Sequence, residues 1–290
     1  MQKILVTGAT GFIGNYVVEE LLKNNYQVIA SSSSEERAKS FAWFSQVQYR
    51  QFDLASFDDT VDYYALFNRP DAMIHLAWEG LPNYKAAFHY EVNLPRHFSF
   101  LQNTLQHGLA SLSVTGTCFE YGMHEGMLSE DMPSDPANSY AMAKDGLRKL
   151  LEELRKTIPF DFKWIRLFYM YGRGQNPNSL LSQLQKALDE KSAVFNMSGG
   201  AQVRDYLPVE KVAEYIVKIA QQDKVDGIIN CCSALPVSVR QLVENYLQER
   251  NAHIHLNLGH YPYADYEPMA FWGDDKKLNK ILSAAIIKPS

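Results

Sequence analysis

Cysteine is scarce: three residues in 290, with Cys118 alone and Cys231 beside Cys232. Such a set builds neither a disulfide framework nor a metal site. The expectation is therefore a metal-free protein of the reducing cytoplasm. Basic blocks are missing too, and the formal net charge is −5. That balance argues against a nucleic-acid partner. No apolar run approaches the ~20 residues of a membrane span, so no membrane association is expected. The first strand begins at residue 3, which leaves no room for a charged and then apolar leader ahead of it. Internal repeats and low-complexity linkers are also lacking, apart from the serines at 31–34. What is there, 46% hydrophobic and 21% charged residues, suits a globular chain of one large domain, or one domain with a smaller lobe.

The most informative stretch is Thr7-Gly8-Ala9-Thr10-Gly11-Phe12-Ile13-Gly14, directly after the apolar strand 4–6. A glycine-rich turn between a first strand and a first helix is where an α/β protein seats a dinucleotide pyrophosphate. Gly8 takes the tight turn, Gly11 lets backbone approach phosphate, and Gly14 lets the helix pack close to the sheet. Phe12, Ile13, Tyr16, Val17, Leu21 and Leu22 then recur at helical spacing, and a second strand follows at 27–30.

Further strands are expected at 47–52, 72–77, 110–116 and 162–168, with helices at 84–107, disturbed by Pro95, and at 140–155. Alternation of this kind implies a parallel, doubly wound sheet with ligands at the carboxyl ends of its strands. After residue 170 the pattern loosens to a loop at 176–178, a helix at 180–191 and a late strand at 226–230. The remainder, broken by Pro236, Gly259, Pro262 and Pro268, predicts a small irregular lobe. The division is residues 1–168 for the dinucleotide domain, with about 205–232 returning to it, and 169–290 mainly for substrate.

Tyr140 and Lys144 lie one helical turn apart and share a face. A phenol is a poor acid–base group near neutrality, and a neighbouring ammonium favours its ionised form. With 17 tyrosines in the chain, the spacing alone is weak. The strand end Val114-Thr115-Gly116-Thr117-Cys118 strengthens it by bringing hydroxyls to where a carbonyl could be held.

Taken in order, these motifs resemble the extended short-chain dehydrogenase/reductases acting on nucleotide-sugars, the group of UDP-galactose 4-epimerase. The resemblance covers nearly the whole chain and implies an α/β, Rossmann-like doubly wound parallel sheet with a smaller, mostly C-terminal substrate lobe. It makes Thr117, Tyr140 and Lys144 the catalytic set. Gly8, Thr10, Gly11, Phe12, Ile13 and Gly14 become the cofactor turn, Asp53-Leu54 the adenine contact, and Leu76-Ala77 the strand beside the cofactor, with Asn93 structural. Arg204, in Arg204-Asp205-Tyr206, would hold a substrate phosphate, and Asn176 would also touch substrate. The implied chemistry is hydride transfer at a sugar carbon, in a homodimer through the helix of Tyr140 and the one before it. The apolar positions Phe88, Val92, Phe98, Leu101, Leu147 and Leu151 permit that, although packing within one chain needs them too.

Departures narrow the reaction. Sugar 4,6-dehydratases of this group carry Asp-Glu directly after the catalytic threonine, where this chain has Cys118 and Phe119. The 3,5-epimerising members place a cysteine where Phe119 stands. Plain 4-keto reduction or oxidation remains, or 4-epimerisation with tightly bound NAD as the alternative. Trp78-Glu79-Gly80-Leu81-Pro82-Asn83-Tyr84 resembles a stretch of dTDP-4-keto-6-deoxy-sugar reductases. Trp78 and Tyr84 would wall a 6-methyl group, with Asn83 beside them. The expected product is a 6-deoxyhexose such as dTDP-6-deoxy-talose or dTDP-fucose, for surface polysaccharide. Ser32 stands where NAD-binding members often carry Asp, and Arg37 lies close by, so NADP(H) is favoured and NAD(H) allowed.

Overall fold

The computed structural model describes residues 2–286 except 264 and 266. Strands and helices alternate through the first half: β1 (Lys3–Thr7), α1 (Phe12–Lys23), β2 (Gln27–Ser32), α2 (Glu35–Lys39), β3 (Gln48–Gln51), α3 (Tyr63–Leu66), β4 (Ala72–His75), α4 (Leu94–Gln106), β5 (Ser111–Thr117), β6 (Gly126–Leu128), α5 (Ser139–Leu154) and β7 (Asp161–Leu167). The second half adds β8 (Tyr169–Tyr171), α6 (Leu180–Asp189), β9 (Val194–Asn196), β10 (Val203–Pro208), α7 (Val209–Ala220), β11 (Gly227–Cys231), β12 (Pro236–Ser238), α8 (Val239–Glu249), β13 (His255–Asn257), β14 (Phe271–Gly273) and α9 (Lys276–Ile286).

Seven strands form one sheet in the order β11-β7-β5-β4-β1-β2-β3, every pairing parallel. Such strands are covered on both faces and read as nearly continuous apolar runs. Ile4, Val6, Ile74, Ile165 and Ile229 face α1, α7 and α9. Leu5, Met73, Leu112, Val114, Phe162 and Trp164 face the side of α3, α4 and α5. The chain runs outward from β1 to β3, returns to β4 and continues the other way. The order thus reverses between β1 and β4, and the crevice there is the expected ligand site.

Three expectations change. The helix expected over 84–107 is a π turn at His89–Asn93 running into α4, with Pro95 in the first turn of α4. Residues beyond 232 are more regular than their prolines suggested, since α8 and α9 lie there, and α9 packs on α7 and β11 rather than in the lobe. Of the expected dimer-face residues, Leu101, Leu147 and Leu151 are fully buried between α4, α5 and the sheet, so intramolecular packing uses them.

Candidate active site

The glycine turn is built as its positions require. Gly8 has φ +67°, and a Cβ there would lie 2.8 Å from the Ala77 nitrogen. A Cβ on Gly14 would fall 2.1 Å from the Gly8 carbonyl oxygen. The close approach at Gly14 is therefore to the turn itself rather than to the sheet. Gly11 is the N-cap of α1 and offers no side-chain cap. The first amides of that helix are left to whatever lies in front of it, which suits an anion.

Two adjoining cavities open along this turn. The first, about 410 Å³, is lined by Gly8, Gly11, Phe12, Ile13 and Gly14 and also by Thr117, Tyr140 and Lys144. The second, about 280 Å³, is lined by Thr10, Ser31, Ser32, Arg37, Asp53, Leu54 and Ala77. Gly8, Gly11, Leu76 and Trp78 border both. A glycine cradle between two linked cavities fits the two halves of a dinucleotide. Within the second, Ser32 Oγ lies 2.9 Å from the Tyr49 hydroxyl and the Asp53 carboxylate accepts from the Ala55 amide at 2.8 Å. No carboxylate stands at the end of β2, since Ser31, Ser32 and Ser33 occupy it.

Thr117 ends β5. Its backbone amide donates to Glu120 Oε1 at 2.9 Å, and its own Oγ1 accepts from the Phe119 amide at 3.3 Å. Glu120 is in turn gripped by Trp164 Nε1 (2.9 Å) and Arg166 Nε (2.8 Å), all fully buried. The Thr-x-x-Glu spacing is that of a capping box, a signal available in the sequence but not used above. Asn138 caps α5 through the Ala141 amide, and the Tyr140 amide donates to the Tyr84 carbonyl at 3.0 Å. These bonds aim the first turn of α5 at the end of β5. The Tyr140 and Thr117 side chains both border the first cavity.

Burial dominates the titration of the pair. It pushes the Tyr140 phenol up, with Tyr84 and Glu120 adding to it. It brings Lys144 down to about 7, against a smaller raising effect of Glu120. The expected lowering of the phenol by its neighbour is not the governing effect here. The ammonium donates to the Thr115 carbonyl at 2.9 Å and lies 4.1 Å from the centre of the Trp78 ring.

The expected substrate contacts divide. Tyr84 and Asn176 line the first cavity, together with Leu81, Pro82, Phe119, Phe168, Tyr169 and Met170, which were not anticipated. Trp78 lines it too, and its ring also lies against Lys144 and stacks on His97 at 4.5 Å. Asn83 is exposed and does not line the cavity; its carbonyl accepts from His89. Arg204 is buried and paired through Nε and Nη2 with Glu267, while Nη1 donates to the Val203 and Met269 carbonyls. Its guanidinium is thus engaged within the protein rather than presented to a phosphate. Asn93 is buried and donates to the Glu79 carbonyl, holding the loop after β4. Cys118 is buried, and desolvation pushes its thiol up, as for an inert packing residue. Among the described residues no group of three or more His, Cys, Asp or Glu is placed to hold a metal ion, and no helix is long and apolar enough to cross a membrane.

A glycine turn at the switch point of a parallel sheet, facing a Thr/Tyr/Lys set on β5 and α5, defines an extended short-chain dehydrogenase/reductase. The chain belongs to the NAD dependent epimerase/dehydratase family, whose model matches residues 4–232. It is 32% identical over 275 residues to dTDP-6-deoxy-L-talose 4-dehydrogenase (NAD(+)) of Aggregatibacter actinomycetemcomitans, covering 93% of this chain and 98% of that protein. It is 27% identical over 251 residues to GDP-6-deoxy-D-talose 4-dehydrogenase of the same organism, covering 83% and 78%. The fold is shared with UDP-glucuronic acid 4-epimerase from Bacillus cereus in complex with NAD, at TM-score 0.81 and 24% identity over 97% of this chain and 91% of that one.

Proposed function

We propose that the protein interconverts a ketone and a hydroxyl at C4 of a nucleotide-activated 6-deoxy-sugar, acting in the cell as a reductase. The carrying observation is that Thr117, Tyr140 and Lys144 border one cavity, which the glycine turn also borders. A nicotinamide dinucleotide held along that turn supplies or takes up the hydride. Tyr140 then donates its phenolic proton to the developing C4 alkoxide, and takes it back in the oxidative direction. Thr117, which borders the same cavity, orients that oxygen and stabilises its charge. Lys144 supplies a positive charge that favours the phenolate left behind.

The apolar and aromatic walls contributed by Leu81, Tyr84, Phe119, Phe168 and Met170 suit a methyl rather than a hydroxymethyl substituent at C5. Both dehydrogenases named above act on 6-deoxy-talose nucleotides, which supports the same choice. Cys118 and Phe119 in place of an acid pair argue against dehydration.

For the cofactor we propose NAD(H) as the working form, as in the 32% identical relative, with NADP(H) accepted. Ser32, Ser33 and Arg37 offer donors and no repelling carboxylate to a 2′-phosphate. The test follows NADH and NADPH absorbance with dTDP-, GDP- and UDP-4-keto-6-deoxyhexoses. Consumption with a dTDP sugar supports the reading. Epimerisation of a nucleotide sugar with cofactor retained and none consumed would replace it by the 4-epimerase reading, toward which several more distant relatives point.

A further inference from the structure

We infer that Trp78 is a positioning residue for the catalytic lysine, its indole face holding the Lys144 ammonium toward the reacting centre. Lys144 is almost wholly buried and makes one hydrogen bond, to the Thr115 carbonyl. An ammonium carries three donors, and the Trp78 ring, 4.1 Å away, offers the remaining side an electron-rich face. The ring is itself fixed from several sides. Its Nε1 donates to His89 Nδ1 at 3.1 Å, and His89 Nε2 faces the Asn83 carbonyl at 2.8 Å, so a single neutral tautomer of His89 satisfies both. His97 stacks on the indole, is held by His75 at 2.7 Å, and His75 is held by Thr7 at 2.8 Å. Burial keeps both of these histidines neutral, so neither competes as a second cation.

Tryptophan alone among side chains combines a broad face with an N–H at its edge. Phenylalanine keeps the face and loses the donor; leucine loses both. The groups around the ammonium are the Thr115 carbonyl on β5, Glu120 after β5, His75 on β4, His97 on α4 and Tyr140 on its own helix. Of these, Glu120 is the carboxyl group; burial raises its pKa against the opposing effect of Arg166, and Arg166 and Trp164 hold it in the core. Beside the Thr115 carbonyl, the indole face is therefore a second compensation for a charge that burial disfavours.

This inference rests on Lys144 belonging to the catalytic set, so the test reads the lysine itself. In cofactor-free protein carrying 13C at lysine Cε, with Lys144→Arg to assign the signal, the parent midpoint is expected near 7. Trp78→Leu should lower it by about one pH unit, while Trp78→Phe should stay within about a third of a unit. A ring-fluorinated tryptophan placed at 78 keeps the shape and weakens the face, and should move the midpoint the same way as leucine. It decides the matter where the leucine variant does not fold. In turnover, loss of the face should lower kcat at alkaline pH with little change in the sugar KM. An unmoved midpoint in the fluorinated protein overturns the inference. A wrong assignment of the reaction would leave the midpoints as stated but make Lys144→Ala fully active.

Discussion

At the scale of single residues the site depends on short, local geometry. Thr117 is expected to act through its hydroxyl. Thr117→Ala should lower kcat by roughly a hundredfold, with Thr117→Ser recovering most of it, measured as initial rates at saturating sugar. Recovery by serine separates loss of the hydroxyl from loss of the strand end, because Glu120 holds the backbone amide in either variant. A second residue-scale consequence lies in His75, brought down to about 3 by burial and by Lys144. Its folded pKa is depressed below the unfolded value of about 6.5. The unfolded chain therefore binds the extra proton, and stability falls as pH drops from about 6.5 toward 3. Denaturation midpoints measured down that range should decline, and His75→Asn should flatten the decline below pH 6.5; an equal slope in both proteins would contradict it.

At the scale of elements, what was legible in the sequence was what is local. The glycine turn needs a strand, a helix and three spaced glycines, all between residues 3 and 23. Tyr140 and Lys144 share one turn of α5. Positions set by distant pairing were not legible. Arg204 is taken by Glu267, 63 residues on, and Trp78 is held through His89, His97 and Lys144 from three other elements. The π turn at His89–Asn93 also escaped, because its residues carry a helical pattern and only the extra residue per turn distinguishes it. The end of β2 carries a prediction of its own. Arg37 borders the second cavity beside Ser32 and Ser33. Arg37→Ala should weaken NADPH several-fold relative to NADH in steady-state KM. An unchanged ratio would remove Arg37 from cofactor choice.

At the scale of the whole molecule, the order β11-β7-β5-β4-β1-β2-β3 places the glycine turn and the end of β5 on the same rim of the sheet. The sequence implied the alternation, but not that α7 would pack on α1 from the far end of the chain, with α9 packing on α7 and β11. The opposite face bears on assembly. Leu101, Leu147 and Leu151 are internal, yet Tyr90, Met142 and Leu150 remain 44%, 53% and 41% exposed on the π turn and α5. We propose that these outward groups join two copies. Light scattering should give twice the 33.1 kDa chain mass, and Leu150→Glu should give the single mass. A parent protein of single mass at micromolar concentration would contradict this.

The central claim is that a phenol on α5 moves the proton while hydride passes at a sugar carbon. Its most direct test compares the parent with Tyr140→Phe in NADH oxidation by a dTDP-4-keto-6-deoxyhexose, with cofactor affinity measured separately by fluorescence. The parent should consume cofactor, and the variant should lose at least a hundredfold in rate while binding cofactor within a few-fold of the parent. Equal rates in the two proteins would contradict the account.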